Sequence, residues 1–266
     1  MNQDTMNQDT IREAVRDRYA RIAEGTEESC CGPSCCGGTK EASAATEASP
    51  STRLGYDEDQ LRGIPEGADL GLGSGNPVAH ADIQEGETVL DLGSGGGIDS
   101  FLASERVGPT GKVIGVDMTP EMVTRARGNA RQGGYTNVDF RLGEIESLPV
   151  ADATVDVIIS NCVLNLSPER DRVLAEARRV LKPGGRLVIS DLVSDEPVPA
   201  PLREETEAVT ACLPVERETY IGQLRAAGFV DVTIGEGVDT FSGASGEANA
   251  RTFEVYGYPF RCSKPT

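Results

Sequence analysis

Seven cysteines and one histidine make up most of the reactive inventory of this chain. Four of the cysteines crowd into one short stretch, Cys30-Cys31-Gly32-Pro33-Ser34-Cys35-Cys36, and the others are Cys162, Cys212 and Cys262. Thiolates bind soft ions, attack electrophiles and cycle through disulfides. The C-C-x3-C-C spacing is not the paired CxxC of a zinc ribbon, although zinc stays open as an alternative. The lone His80 leaves no histidine-pair zinc site and little basis for Ser-His or Cys-His catalysis. For the cluster, the functional readings are capture of a soft ion, its delivery to inner thiols, and redox cycling. Taken singly, Cys162 and Cys212 pass as small apolar residues. Cys262 has no partner in sequence and reads as structural or incidental.

A second constellation is VLDLGSGGGID, residues 89–99. Gly93, Gly95 and Gly97 follow a strand and open a helix. Missing side chains let the backbone approach a ligand closely, and the helix start offers N–H donors. Asp117 closes the next strand, where a carboxylate can accept bonds from a ribose diol. Two features disfavour a nicotinamide cofactor. The spacing is GxGxG, not GxGxxG. Asp91, two positions before the first glycine, would repel a pyrophosphate but attract an ammonium. A tight turn with no ligand is the bland alternative.

The elements that must position these residues are legible in the apolar periodicity. Ile11, Val15, Tyr19 and Ile22 predict an amphipathic helix over 10–24, with Thr10 and Glu13 as a capping box and Gly25 as its end. The cysteine cluster follows. Residues 39–52 are small and polar and read as a flexible linker. Residues 53–85, with the turn-rich GLGSGNP, read as a lid segment. From 86 the pattern alternates: strands at 88–93, 112–117, 137–143, 155–161 and 185–191, and helices at 98–107, 120–133 and 168–181. Helices at 200–213 and 219–227 and strands at 229–237 and within 253–263 follow. The expected fold is α/β, a doubly wound, mostly parallel seven-stranded sheet of Rossmann-like type. It carries an N-terminal helical, Cys-rich extension (1–52), the lid (53–85), a cofactor-binding core (86–192) and a C-terminal α+β segment (193–266).

The 43 acidic against 25 basic residues give a net charge of −18, which repels nucleic-acid phosphates and anionic membranes. Lysine is scarce, as in proteins of salt-accumulating halophiles; that feature concerns solvent, not catalysis. No run approaches the roughly 20 apolar residues of a membrane span. The start, MNQDTMNQDTIREAV, has no basic segment followed by an apolar core. A cytoplasmic monomer without nucleic-acid or membrane partners is expected.

The stretch DLGSGGG, followed by GVDMTPEM, LGEIESLP and RVLKPGGRLVISD, resembles the class I S-adenosylmethionine methyltransferases over about 87–192. The resemblance implies S-adenosylmethionine as cofactor. It implies that Asp91, Gly93, Ser94, Gly95 and Gly97 surround the methionine part and Asp117 takes the ribose. Met118, Ile145 and Glu146 would flank the adenine, and Asn161 would sit near the methyl group. Core packing is the alternative for Met118 and Ile145.

Within that superfamily, GSGNPV (73–78), GETVLDLGSGGGID (86–99), LGEIESLPVAD (142–152) and SNCVLNLSPER (160–170) are similar to the arsenite methyltransferases. That resemblance implies arsenic(III) held on Cys162 and Cys212, with one of Cys30, Cys31, Cys35 or Cys36 as a further ligand. Cys31 and Cys36 are taken as the catalytic pair of the cluster. Trivalent arsenic is thiophilic and keeps a lone pair, so in-line attack on the methyl carbon is mainly a matter of positioning. Arsenite or its thiol adducts would be the substrate, and thioredoxin or a small thiol the reductant. Two departures stand out: Ser74 replaces the cysteine common in the GxGNP segment, and LPVE follows Cys212 in place of small residues. Other readings are methylation of a quinone-like small molecule and a non-catalytic thiol protein that sequesters soft metals.

Overall fold

The computed structural model describes residues 3–27, 49–199, 213–242 and 247–266. Helix α1 (Gln3–Ala23) begins well before the expected capping box. No proline or glycine interrupts QDTMNQD, so the helix continues through Thr10 and Glu13, which lie in its middle. After a 3-10 turn (Pro50–Leu54) come two short helices, α2 (Glu58–Gly63) and α3 (Pro77–His80).

The strands and helices then alternate: β1 (Thr88–Leu92), α4 (Ile98–Val107), β2 (Lys112–Asp117), α5 (Pro120–Gly133), β3 (Val138–Leu142), β4 (Val155–Asn161), α6 (Arg170–Val180) and β5 (Leu181–Ser194). Beyond them are β6 (Val215–Glu216), α7 (Arg217–Ala226), β7 (Val230–Ile234), α8 (Glu247–Thr252) and β8 (Val255–Ser263). The helix expected over 200–213 falls almost wholly outside the described residues. β5 starts earlier than the 185–191 read from sequence. Leu181 already pairs with Val155, and the ladder shifts register before resuming at Arg186.

One sheet runs in the order β3-β2-β1-β4-β5-β8-β7, with the two-residue β6 beside the end of β5. The pairs through β5 are parallel; β8 is antiparallel to both β5 and β7. The principal path thus has the seven strands expected, and β6 adds a short eighth. Apolar side chains alternate to both faces, as a doubly covered sheet requires. One face buries Leu90, Leu92, Ile158 and Leu187 under Val173, Leu174, Tyr220 and Leu224. The other buries Val89, Val113, Val157 and Ile159 under Phe101, Leu102, Val123 and Ala126. Among the described residues, no helix is long and apolar enough to cross a membrane.

The order reverses between β1 and β4, which places a switch point there, where open α/β sheets take ligands beyond the carboxyl ends of the strands.

Candidate active site

β1 delivers Asp91 to that switch point and the glycine loop directly after it. Gly93, Gly95 and Gly97 all adopt positive φ (67, 50 and 100°). A Cβ on Gly93 would stand 2.3 Å from Val163 Cγ2, whereas one on Gly95 would meet nothing within 4 Å. The loop is therefore closed on the β4 side and open at Gly95. Gly97 caps α4. Ser94 is buried, and its Oγ has no hydrogen-bond partner among the described residues.

Three carboxylates converge here. Asp91 is buried and accepts from Ser100 Oγ at 2.6 Å. Burial pushes its carboxyl well above the ordinary range, and the neighbouring Asp99 and Asp117 add to this. Asp99, also buried, accepts from Tyr56 Oη at 2.7 Å and lies 3.2 Å from Asn161 Nδ2. Its carboxyl is pushed up to about 6, mainly by burial. Asp117 takes the Gly95 N–H at 2.9 Å and the Thr119 N–H at 2.8 Å, one on each oxygen. Each oxygen keeps a lone pair for further donors, and burial raises this carboxyl too. None of the ion pairs found among the described residues includes any of the three. The region is short of positive charge and rich in acceptors, which suits a ligand carrying an ammonium, a sulfonium and a ribose diol.

Asn161, the last residue of β4, ties the segment before β1 to this centre. Its Oδ1 accepts from the Ser74 N–H at 2.8 Å. Its Nδ2 lies 2.8 Å from the Gly75 carbonyl and 2.9 Å from Tyr56 Oη. A Cβ on Gly73 would come within 2.8 Å of the same amide. Burial raises the Tyr56 phenol, and the adjacent Asp99 adds to it. Tyr56 and Asp99 were not among the residues singled out from sequence. Asp99 had a readable signal, a carboxylate directly after the glycine loop; Tyr56, 43 residues away from it, had none.

Cys162 follows at φ +56°, one of five non-glycine residues at positive φ among the described residues. Its N–H donates to the Ser190 carbonyl at 2.7 Å, and its half-buried side chain packs on a cluster of Leu192, Ala250 and Val255. Met118 is half-buried next to Asp117. Ile145 packs against the apolar core. Glu146 is buried, accepts from Ser167 Oγ and lies 3.6 Å from Arg12 Nε of α1. The structure thus brings Asp91, the glycine loop, Asp99, Asp117 and Asn161 together; Cys162 follows Asn161 directly with its side chain on the Leu192–Ala250–Val255 cluster, and Glu146 is engaged by α1. Cys30, Cys31, Cys35, Cys36 and Cys212 lie outside the described residues. Cys262 is buried in β8; its thiol lies 3.9 Å from the Leu187 carbonyl and burial pushes it up to about 12. That is the environment of an inert packing thiol.

Residues 83–228 match the family model of a methyltransferase domain. The chain is 50% identical over 84% of its length to an arsenite methyltransferase of Halobacterium salinarum, of which it covers 58%. It is 47% identical over 49% of its length to an arsenite methyltransferase of Aquipseudomonas alcaligenes, of which it covers 40%. The chain therefore spans roughly half the length of these curated relatives. It also resembles the crystal structure of an arsenic(III) S-adenosylmethionine methyltransferase from Chlamydomonas reinhardtii. There the TM-score is 0.62 and the identity 33%, over 84% of this chain and 75% of that one.

Proposed function

The chain belongs to the S-adenosylmethionine-dependent methyltransferases, and on that premise we propose that it methylates trivalent arsenic held on cysteine thiolates. The observation that carries the proposal is Cys162. A thiol-bearing residue is kept in the left-handed region directly after Asn161, and the next residue, Val163, stands against Gly93 of the glycine loop. Strain at a non-glycine residue persists only where surrounding structure over-determines it, and such residues concentrate at functional sites. The names of the relatives support the same substrate.

Bound at the switch point, S-adenosylmethionine supplies an electrophilic methyl group, which the arsenic lone pair takes in line. The protein's own residues do the rest. Gly93 to Gly97 give the backbone room to approach the methionine part. Asp91 and Asp99, whose protons burial holds tightly, lie where a cationic group would draw those protons off and gain opposite charge beside it, and Asp117 offers free lone pairs to the ribose hydroxyls. Asn161 fixes residues 73–76 against the site, so that 53–85 serves as its lid. Cys162 binds arsenic, with Cys212 and one cysteine of the 30–36 cluster as further thiolates. Each transfer leaves arsenic oxidised by two electrons. Two cysteine thiolates return them and become a disulfide, which thioredoxin or a small thiol reduces.

The test is an assay of reduced protein in high salt with S-adenosylmethionine, arsenite and a thiol, with wild type beside Cys162→Ser. Methylated arsenic from the wild type and none from the variant is expected. No product from a wild type that binds S-adenosylmethionine would overturn the substrate assignment.

A further inference from the structure

We propose that Asn165, Asp191 and Arg170 act as one positioning unit for the Cys162 turn and fix where its thiol points. This rests on the reading of Cys162 as an arsenic-binding thiolate and assigns that site residues beyond those already named.

The chain leaves β4 at Asn161, passes through Cys162 and makes a single 3-10 turn over Leu164–Leu166. A left-handed conformation costs a residue with a Cβ about 1–2 kcal/mol, so this turn needs anchors. Three consecutive residues of β5 supply them. The Ser190 carbonyl takes the Cys162 N–H at 2.7 Å. Asp191 Oδ2 takes the Asn165 N–H at 3.3 Å. The Leu192 carbonyl takes Asn165 Nδ2 at 2.7 Å.

The side-chain amide of Asn165 is bonded at both ends, because its Oδ1 accepts from Arg170 at 2.9 Å. Arg170 reaches on to Gln223 Oε1 of α7 at 3.0 Å and lies 5.6 Å from the centre of the Tyr220 ring. The Tyr220 hydroxyl donates back to Asp191 Oδ2 at 3.2 Å, and Asp191 also accepts the Leu192 N–H at 3.0 Å. The ring Asp191–Asn165–Arg170–Tyr220 closes on itself. Asp191 has no solvent exposure. A fully buried carboxylate is a costly way to stabilise a turn that apolar side chains could pack instead. What it adds is direction: donors from β5, from the turn and from α7 meet on one rigid group. The turn is thereby held to β5 and α7 with Cys162 at its strained end.

Asn165→Ala removes the anchor to the Leu192 carbonyl and releases Arg170, while the backbone N–H bond to Asp191 stays. Two readouts separate positioning from a merely structural role. The first is the rate at which iodoacetamide alkylates Cys162, followed on its tryptic peptide. The second is the split between kcat and the KM values for arsenite methylation. The expected result is a kcat lower by about 10- to 100-fold, as a misaimed reactant implies, an altered Cys162 alkylation rate, and an unchanged KM for S-adenosylmethionine. A folded Asn165→Ala protein with wild-type kcat and wild-type Cys162 alkylation overturns the proposal. Should that variant fail to fold, Arg170→Gln, which frees Asn165 Oδ1, carries the same two readouts with the same expectations. Cys162→Ser is run in parallel. Full turnover there removes the thiolate reading itself and the proposal with it. Loss of turnover there, with a wild-type Asn165→Ala, overturns the positioning unit alone.

Discussion

At Cys162, backbone conformation and chemistry pull in opposite directions, and that conflict is measurable. Glycine occupies positive φ without the cost that a Cβ brings. Cys162→Gly should therefore unfold later than Cys162→Ala, by about 1 kcal/mol in urea denaturation, although neither retains a thiol. If alanine is the more stable, the strain at φ +56° is not real. Asp99 gives a second residue-scale prediction. Its folded carboxyl sits at about 6, against about 3.9 in an unfolded chain. The native state therefore holds that proton more tightly than the unfolded state. The group costs stability above about pH 6, and the cost fades as pH falls towards about 4. The stability of Asp99→Asn relative to wild type must then shift in the variant's favour as pH rises from about 4.5 to about 7.5. Thermal midpoints of both proteins across that range check it; a flat difference contradicts it.

The elements explain why these residues meet. Asn161 ends β4, the glycine loop ends β1, and one amide side chain fastens the segment before β1 to β4 and to Asp99 in the first turn of α4. Asn161→Ala should loosen that fastening. Hydrogen exchange in residues 73–80 is expected to accelerate, and S-adenosylmethionine affinity to fall by about 10-fold, the worth of one to two net hydrogen bonds. Unchanged exchange there would show that the segment is held by its apolar contacts alone. Much of this architecture was legible beforehand. The apolar runs and the Pro120 and Gly228 punctuation gave the strands and helices of the core to within a few residues. The glycine loop, Asp91, Asp117 and Cys162 were readable because local spacing places them at strand ends, and Asn161 only through the family resemblance. The partners of Asn161 were not, because Tyr56 and Ser74 reach it from far along the chain. Periodicity also misplaced the start of α1, since polar residues continue a helix without leaving an apolar mark. The role of Glu146 depended on Arg12, more than a hundred residues before it, which no local pattern connects.

On the scale of the whole molecule, charge and the N-terminal helix belong together. The chain carries a net −18, and α1 is held to the core by Arg12 with Glu146 and Glu169, and by Arg16 with Glu144 at 3.2 Å. Salt screens the self-repulsion over the entire surface, whereas the exposed Arg16–Glu144 pair contributes little and the largely buried Arg12–Glu146 pair is screened far less. The thermal midpoint should therefore rise between about 0.1 M and about 1 M potassium chloride; a fall would mean that the ion pairs dominate. The central claim is narrower: Cys162 is a ligand of the arsenic that is methylated. Arsenic K-edge X-ray absorption on reduced protein loaded with one equivalent of arsenite tests it most directly. A sulfur shell in the wild type, with one sulfur fewer in Cys162→Ser, is the predicted result. An identical sulfur shell in both proteins would contradict it and move the arsenic to cysteines elsewhere in the chain.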